Sequence, residues 1–206
     1  SRGLGDVYKR QVFASLMCQL KTGDRVVASR ALFGSCSTIL SEFLPNYGIK
    51  TEFVDGTDLN QWAKARSKPT RAVFVESPSN PTLEIIDLSS VANLAHAAGA
   101  SLIIDNVFAT PLLQQPLKLG ADIVVYSATK HIDGQGRTLG GAILGSKEFV
   151  RGPLMTFLRH TGAALSAFNA WVLVKAMDTM EMRVSRQCDN ALEVANFLEA
   201  RSELIR

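Results

Sequence analysis

The sequence predicts an α/β fold with a mostly parallel sheet that is covered by helices on both faces. Two observations support this prediction: short apolar runs rich in valine and isoleucine, and longer segments of helical period that alternate with them. Because the apolar runs are nearly continuous, we expect both faces of each strand to be buried. At 206 residues, the chain is long enough to bury such a core without disulfides or a structural metal.

The predicted strands are four short apolar runs at residues 25–28, 71–76, 101–105 and 123–126. Between the second and third runs, residues 87–99 predict a helix that opens on Asp87 as its cap and stops at Gly99. A strand, helix, strand order of this kind implies a right-handed crossover between parallel strands. Strands are expected to stop by Ser146, and residues 163–199 to form one or two long helices.

The first eleven residues differ from the rest, because they lack helical or alternating period and hold three basic residues against one acidic residue. We expect residues 1–11 to be of non-native or unrelated origin and regular structure to begin at Val12. The predicted division is then an N-terminally truncated large domain over residues 12–182 and a helical connector over residues 183–206. The connector is expected to lead to a C-terminal domain that is missing from the chain.

Charge and composition exclude several classes of function. Outside residues 1–11 the chain holds nineteen basic and eighteen acidic residues and no basic run, so we expect no nucleic-acid partner. The three cysteines, Cys18, Cys36 and Cys188, lie far apart without a histidine at ligand spacing, which indicates reduced thiols and no metal site. No apolar stretch reaches the ~18 residues of a membrane span, so we predict no membrane partner and a cytoplasmic location.

Polar residues follow the predicted strands, at the edge where open parallel sheets bind ligands. They are Glu76 with the loop 77–81, Asp105 with Asn106, the segment 127–131 and the turn 133–137. A lysine that attacks an aldehyde needs a lowered pKa, which a partly buried position near other positive charge supplies, and Lys130 is the candidate. Hydroxyl residues beside it offer an anion seat, and a carboxylate on a neighbouring strand end can keep a pyridine nitrogen protonated. Together these groups are the parts that pyridoxal phosphate requires.

Three segments carry a specific resemblance: ESPSNPTL at 76–83, IDNVF at 104–108 and YSATK at 126–130. They resemble the signature blocks of the Cys/Met-metabolism pyridoxal-phosphate enzymes, and the likeness runs in order from about Val12 to at least Met182. That family contains the cystathionine synthases and lyases, methionine γ-lyase and the homoserine sulfhydrylases. The resemblance implies the aspartate-aminotransferase-like large domain, known as fold type I of these enzymes.

The resemblance also implies roles for six residues. Lys130 would bind pyridoxal 5'-phosphate covalently, and Asp105 would pair with the nitrogen of its ring. Ser127 and Thr129 would bind the cofactor phosphate. Asn80 would lie near the phenolic oxygen of the ring, and Phe33 would stack on the ring face. The family often places tyrosine at the position of Phe33, and without the resemblance Phe33 would be interpreted as a core residue.

Within the family, KHIDGQGR at 130–137 and RHTGA at 159–163 most resemble the O-succinylhomoserine sulfhydrylases. The implied reaction is γ-replacement, in which O-succinylhomoserine and sulfide give homocysteine and succinate, a step of methionine biosynthesis. Cystathionine γ-synthase, cystathionine γ-lyase and methionine γ-lyase share the same cofactor contacts and stay open as alternatives. The full-length enzyme is expected to act on a small amino acid and to be a homo-oligomer, a dimer of dimers. The isolated chain is expected to bind the cofactor poorly and to be nearly inactive.

Two remote alternatives stay open. Tyr126 and Lys130 have the YxxxK spacing of short-chain dehydrogenases, but no glycine-rich turn for a dinucleotide follows the strand at 25–28. The chain could also be a noncatalytic part of an oligomer, with apolar helical residues such as Trp171 to Met177 facing a partner.

Overall fold

The structure, a computed structural model, describes residues 7–162, 164–201 and 203. Its centre is a six-stranded sheet with the order β2-β1-β3-β4-β5-β6. The strands are β1 Arg25–Ser29, β2 Lys50–Val54, β3 Ala72–Glu76, β4 Ser101–Asp105, β5 Ile123–Ser127 and β6 Gly141–Gly145. The first five strands are mutually parallel, and β6 runs antiparallel to β5. This arrangement confirms the prediction of a mostly parallel sheet.

Helices connect and cover the strands. They are α1 Val7–Met17, α2 Gly34–Thr38, α3 Leu44–Asn46, α4 Leu59–Ala65, α5 Leu88–Ala97, α6 Thr110–Leu113, α7 Lys147–Phe149, α8 Met155–Thr161, α9 Ala167–Met177 and α10 Met180–Glu199. Short π-helical turns occupy Ile39–Phe43, Ala128–Ile132 and Val150–Leu154, and a 3-10 turn occupies Pro116–Leu119. Among the described residues, no helix has both the length and the apolar composition that crossing a membrane requires.

Helix α5 forms where the sequence predicts it, between two parallel strands. The Asp87 side chain accepts a hydrogen bond from the backbone N–H of Ser90 at 3.0 Å, which satisfies one of the open donors of the first turn. The helix ends at Ala97, and Gly99 follows with a φ of +69°, a conformation that favours glycine. Both ends of this helix are therefore encoded by local chemistry.

The core lies on both faces of the sheet, because successive residues of the central strands point to opposite sides. On one face Val73, Val75, Leu102, Ile104 and Val124 pack with residues of α4 and α5, including Trp62, Leu88, Val91 and Ala95. On the other face Val26, Ala28, Phe74, Ile103 and Val125 pack with α1 and the segment after β1, including Val12, Leu16, Cys36, Leu40 and Leu44. The apolar runs are thus buried on both sides, which confirms the expectation for a doubly covered sheet.

The start of regular structure corrects one expectation. Helix α1 begins at Val7, five residues before the expected start of regular structure at Val12. Gln11, which the sequence analysis set apart with residues 1–11, is only 6% exposed. The helix buries Val12 and Leu16 against the sheet, and this packing extends the helix toward its polar N-terminal residues, whose sequence shows no helical pattern. Residues 1–6 lie outside the described residues, so the expectation about the origin of residues 1–11 stays a prediction.

Two strands escaped the sequence analysis. Strand β2 holds Lys50, Thr51 and Glu52 at the edge of the sheet, where half-exposed polar residues interrupt the apolar pattern. Strand β6 is bounded by Gly141 and Gly145, and glycine disfavours strands in the sequence pattern. Beyond Ser146 the described residues contain helices and turns but no strand, as predicted.

The sequence predicts one or two long helices over residues 163–199, and the structure has two there, α9 and α10. The start of α10 packs on the domain, because Met180 and Val184 are buried and Arg183 is half-buried, whereas the helix is exposed from Ser185 onward. Helix α10 therefore crosses the predicted boundary between residues 182 and 183 without a break. The division into domains stays a prediction.

Candidate functional site

One cavity at the carboxyl edge of the sheet brings together all six of the residues predicted for the site. Its volume is about 270 Å³, and its lining includes Phe33, Asn80, Asp105, Ser127, Thr129 and Lys130. The remaining lining residues are Lys9, Glu76, Val107, Phe108 and Leu139. Lys9 lies on α1, within residues 1–11 that the sequence analysis set apart.

The topology places the cavity. Strand β1 has β2 on one side and β3 on the other, so the direction in which the chain winds reverses between β1 and β3. Ligands of open α/β sheets bind in the crevice outside such a reversal. Phe33 follows β1. Glu76 is the last residue of β3, and Asn80 lies in the loop after it. Glu76 pairs with Asp105 in the parallel register, and Asp105 pairs with Val125, two residues before Ser127.

A larger cavity of about 900 Å³ shares Phe33 and Lys9 with the first one. Its lining is mainly aromatic and apolar, with Phe13, Phe43 and Tyr47, and none of the described residues that line it carries a carboxylate. A functional pocket combines apolar walls with a few convergent polar groups, and only the smaller of these two cavities has an acid, an amine and hydroxyls together. We therefore place the candidate site in the smaller cavity.

Asp105 is the buried acid of the site. It is 2% exposed, its Oδ1 accepts the backbone N–H of Val107 at 3.1 Å, and the thiol of Cys36 donates to its Oδ2 at 3.7 Å. Burial raises the pKa of Asp105 to about 7, although the hydrogen bond from Val107 opposes the rise. A carboxyl group in this state ionises when a cation binds beside it, which is the property needed to hold a protonated ring nitrogen.

Glu76 is a second buried carboxyl group at the same edge, 4% exposed. Its Oε2 accepts the backbone N–H of Phe33 at 2.5 Å, and its Oε1 accepts that of Asn80 at 2.9 Å. Burial raises the pKa of Glu76, and these two hydrogen bonds oppose the rise. The sequence analysis placed Glu76 at a strand end without a role, and the structure shows that it joins two segments that line the cavity.

The ligand atoms of Cys36, Glu76 and Asp105 lie within 4.8 Å of one another, close enough for one metal ion. A metal-bound cysteine must lose its proton. Burial, together with the charge of Glu76, raises the pKa of Cys36 above its ordinary value, and the thiol donates to Asp105. These properties fit a protonated thiol in a buried acid cluster. The expectation that the site holds no metal stays a prediction.

Lys130 lies in the π-helical turn Ala128–Ile132 that follows β5, and its backbone angles, φ −86° and ψ −116°, depart from helical values. Its side chain lines the cavity, but the residue is exposed, which corrects the expectation of a partly buried lysine. The reason is its place in the chain: Ser127 ends the buried strand at 4% exposed, and Lys130 lies three residues beyond that end.

The two hydroxyl residues differ in their surroundings. Ser127 is buried at the end of β5, at the edge where the cavity opens. The hydroxyl of Thr129 accepts the backbone N–H of Gly140 at 3.0 Å and donates to the carbonyl of Gly140 at 3.3 Å. Thr129 therefore also fastens the Lys130 turn to the start of β6. Its hydroxyl can donate to a phosphate only when it leaves the Gly140 carbonyl.

Phe33 is 39% exposed at the start of α2 and lines the cavity, so the alternative interpretation of Phe33 as a core residue is wrong. Asn80 is exposed, and its backbone is held by Glu76. An aromatic face, an amide, an amine, a carboxyl group and two hydroxyls thus surround one space.

The turn after Lys130 is closed by Asp133, which is 0% exposed. Its Oδ2 accepts the backbone N–H of Arg137 at 2.7 Å, and its Oδ1 accepts Nε of Arg137 at 3.1 Å. Burial raises the pKa of Asp133, but the hydrogen bonds from Arg137 and Gln135 outweigh it and hold the pKa below its usual range. The sequence analysis named this turn among the polar segments that follow the strands and assigned Asp133 no role.

The residues present fit pyridoxal phosphate. A cavity of about 270 Å³ is just below the range of roughly 300–1,000 Å³ that drug-sized ligands occupy, as suits one small ring with a phosphate. The buried acid faces the same space as the amine, and hydroxyls lie beside the amine. This donor set matches the ring nitrogen, the aldehyde and the phosphate of that cofactor.

Comparison with known proteins agrees with the site. The sequence profile of the family described as Cys/Met metabolism PLP-dependent enzyme matches residues 10–206. The O-succinylhomoserine sulfhydrylase of Mycobacterium tuberculosis is 58% identical over 91% of this chain and 46% of its own length. The enzyme of the same name from Pseudomonas aeruginosa is 44% identical over 91% of the chain and 46% of its own length.

An L-methionine γ-lyase of Fusobacterium nucleatum subsp. polymorphum is 40% identical over 95% of the chain and 50% of its own length. Among solved structures, the crystal structure of metB from Corynebacterium glutamicum superposes with a TM-score of 0.91 at 32% identity, covering 98% of this chain and 52% of that one. The chain spans about half the length of the relatives that it matches. These comparisons confirm the predicted resemblance, the fold class and the cofactor of the family.

Proposed function

Because this chain belongs to the Cys/Met metabolism PLP-dependent enzymes, we propose that the full-length protein catalyses γ-replacement on an activated homoserine. Here full-length protein means a chain of the relatives' length that contains these residues. The proposed reaction joins O-succinylhomoserine and sulfide to give homocysteine and succinate. The observation that carries the proposal is the convergence of Asp105 and Lys130 on one cavity beside Ser127 and Thr129.

Pyridoxal phosphate, when bound, supplies an electron-accepting ring that stabilises negative charge released at the substrate. In the proposal, Lys130 holds the cofactor through a covalent bond to its aldehyde carbon. The amine of Lys130 would also take the proton from the α carbon of the substrate and move protons at its β carbon, so that succinate leaves the γ carbon and sulfide takes its place. Asp105 keeps the ring nitrogen protonated while charge develops. Ser127 and Thr129 bind the phosphate.

Similarity to two O-succinylhomoserine sulfhydrylases supports the choice of O-succinylhomoserine and sulfide as substrates. The identity to these two proteins, 58% and 44%, exceeds the 40% identity to the methionine γ-lyase. The second candidate is γ-elimination, as in methionine γ-lyase, since it needs the same acid and amine. Homocysteine formed only when sulfide is added supports replacement. Release of 2-oxobutanoate from methionine at a comparable rate would favour elimination.

We further propose that the full-length protein acts in the cytoplasm as a homo-oligomer, a dimer of dimers, on a small amino-acid substrate. Exposed apolar side chains support contact with further polypeptide, and they include Phe168, Trp171 and Val174 on α9 and Leu192 and Phe197 on α10. Light scattering coupled to size exclusion tests the oligomer, and a monomer at micromolar concentration would contradict it.

The central test is covalent trapping. The full-length protein is incubated with pyridoxal phosphate, reduced with borohydride and mapped by peptide mass. The proposal requires the reduced adduct on Lys130 and its loss in Lys130→Ala. Lys118→Ala, which removes another exposed lysine outside the cavity, is the matched control and should keep the adduct. An adduct elsewhere, or none, would overturn the proposed function.

A further inference from the structure

The side chain of Arg183 fastens helix α10 to the turn that carries Lys130. Its Nη1 donates to the carbonyl of His131 at 2.9 Å, and its Nη2 donates to the carbonyl of Ile132 at 3.2 Å. His131 and Ile132 are the two residues that directly follow Lys130. Arg183 is more than fifty positions away in the sequence, so this contact is made by the fold alone.

The carbonyls at this point need donors from elsewhere. The last carbonyl groups of a helical segment have no partner within the segment, and the turn Ala128–Ile132 ends here. Within the turn, the N–H of Asp133 bonds to the carbonyl of Ala128 at 2.8 Å, and the N–H of Gly134 bonds to that of Lys130 at 2.6 Å. The guanidinium therefore supplies donors to carbonyls that these backbone bonds leave open.

The other side of the guanidinium is fixed to α9 and the start of α10. Nη2 also donates to the carbonyl of Ala176 at 3.0 Å, and Nε donates to the hydroxyl of Thr179 at 3.1 Å. Arginine presents several donors in one rigid plane, so fixing one side of the group fixes the other. The two helices thereby hold the guanidinium in place against the Lys130 turn.

Gly134 makes room for this contact. Its φ is +69°, and a Cβ at this position would lie 1.7 Å from Nη1 and 2.4 Å from Cζ of Arg183. Any larger residue would push the guanidinium away from the two carbonyls. A second position, distant in sequence from Arg183, is thus shaped by the same contact.

We propose that Arg183 is a positioning residue for Lys130, and this inference rests on the proposed function. Lys130 is exposed, so few side-chain contacts restrict it, and its direction depends on the backbone of its own turn. Arg183 holds that backbone at the two residues after Lys130, while Thr129 holds it on the other side through Gly140. The contact keeps the amine directed into the cavity.

The test compares Arg183→Gln and Arg183→Lys with the unchanged full-length protein. The readouts are the rate at which pyridoxal phosphate becomes reducibly linked to Lys130, and the pH dependence of the visible absorption of the linked cofactor. Loss of charge-assisted hydrogen bonds of this kind predicts a rate lower by roughly tenfold for Arg183→Gln, with a smaller loss for Arg183→Lys. Arg186→Gln, at an exposed position on the same helix, is the control and should match the unchanged protein.

Gly134→Ala reaches the same contact from the opposite side. Because its Cβ displaces the guanidinium, Gly134→Ala should slow linkage as Arg183→Gln does. Alanine at a φ of +69° also strains the turn itself, so the effect of Gly134→Ala should be smaller, but not zero, when it is added to Arg183→Gln. If Arg183→Gln fails to fold, Gly134→Ala and Arg183→Lys still decide the question. A purely structural role for Arg183 predicts a lower melting temperature with an unchanged linkage rate and pH profile, and that result would overturn the inference.

Failure of the proposed function gives a different result. If the unchanged protein forms no adduct on Lys130, the proposed function itself is wrong. If the unchanged protein links the cofactor and both Arg183→Gln and Gly134→Ala link it equally fast, only the inference about Arg183 is wrong.

Discussion

Glu76 and Asp105 are register partners on neighbouring parallel strands, and both carboxyl groups are buried at the edge of the sheet where the cavity opens. Burial raises the pKa of each, and Asp105 reaches about 7. The two carboxyl groups have different partners: Asp105 accepts the backbone N–H of Val107 and the thiol of Cys36, while Glu76 accepts the backbone N–H groups of Phe33 and Asn80. The predictions below follow from this edge and from the core beneath it.

Replacing Lys130 by alanine should abolish both the covalent link to pyridoxal phosphate and the formation of homocysteine. The reason is that Lys130 is the amine that the proposal assigns to the cofactor, and it lines the cavity next to Thr129 in the chain, together with Asp105. Lys9, the other lysine in the described lining of the cavity, lies on α1 and has no role in the proposal. Visible absorption and a coupled assay for homocysteine measure the two effects. Full activity in Lys130→Ala would contradict the assignment.

Asp105→Asn should retain the covalent link but slow proton removal from the substrate by about 10²–10⁴-fold, because the amide does not hold the ring nitrogen protonated. Single-turnover kinetics with deuterium at the substrate α carbon measure that step. Asp178→Asn, an exposed replacement of the same kind on the surface, should leave the rate unchanged. Near-normal turnover in Asp105→Asn would refute the role given to this carboxylate.

The raised pKa of Asp105 predicts a pH dependence of stability in the cofactor-free protein. Between the ordinary pKa of 3.8 and about 7, the folded state binds more protons at Asp105 than the unfolded state, so stability falls as pH rises through this window. Asp105→Asn removes this loss, and its stability relative to the unchanged protein should increase from about pH 4 to about pH 8. Urea unfolding at several pH values measures the difference, and a difference independent of pH would contradict the shift.

Glu76→Gln should weaken binding of pyridoxal phosphate by roughly tenfold, because the amide nitrogen cannot accept the second of the two backbone N–H groups and either Phe33 or Asn80 loses its anchor. Equilibrium titration of the cofactor measures the change. Glu42→Gln, at an exposed position, is the matched control. Equal affinity in both variants would show that Glu76 does not position these segments.

The core on the α1 side of the sheet depends on Phe74, which is 0% exposed in β3. Phe74→Ala should lower the free energy of unfolding by about 3–5 kcal/mol, since it combines lost burial with a cavity. Phe168→Ala removes the same ring from a site that is 69% exposed and should change little. Chemical denaturation of the two variants makes the comparison, and equal stability would place the core elsewhere.

Residues close in sequence to a strand end were predictable, because parallel strands bring their carboxyl ends to one edge. This reasoning placed Asp105, Ser127 and Lys130 in one cavity from their positions after apolar runs. It also predicted α5 from Asp87 and Gly99, whose effects are local. The roles of these residues came from resemblance, since position alone does not distinguish a cofactor contact from a helix cap.

The parts that escaped prediction depend on contacts between distant segments or on weak local patterns. Strand β2 begins with three polar residues, and β6 begins and ends with glycine, so neither strand has a clear run of apolar residues. The anchoring of Phe33 by Glu76 joins residues 43 positions apart, and the contact of Arg183 with His131 spans 52 positions. No periodicity in a single sequence encodes such pairs.

Helix α10 has a mechanical consequence that follows from its anchoring at one end. Its twenty residues rise about 30 Å, and Arg183 lies in its first turn, so the helix resembles a lever whose fulcrum contacts the turn that carries Lys130. A small tilt of the C-terminal end of the helix would strain the hydrogen bonds from Arg183 to the carbonyls of His131 and Ile132. A polypeptide that binds the outer part of this helix would therefore act mechanically on the turn that carries Lys130.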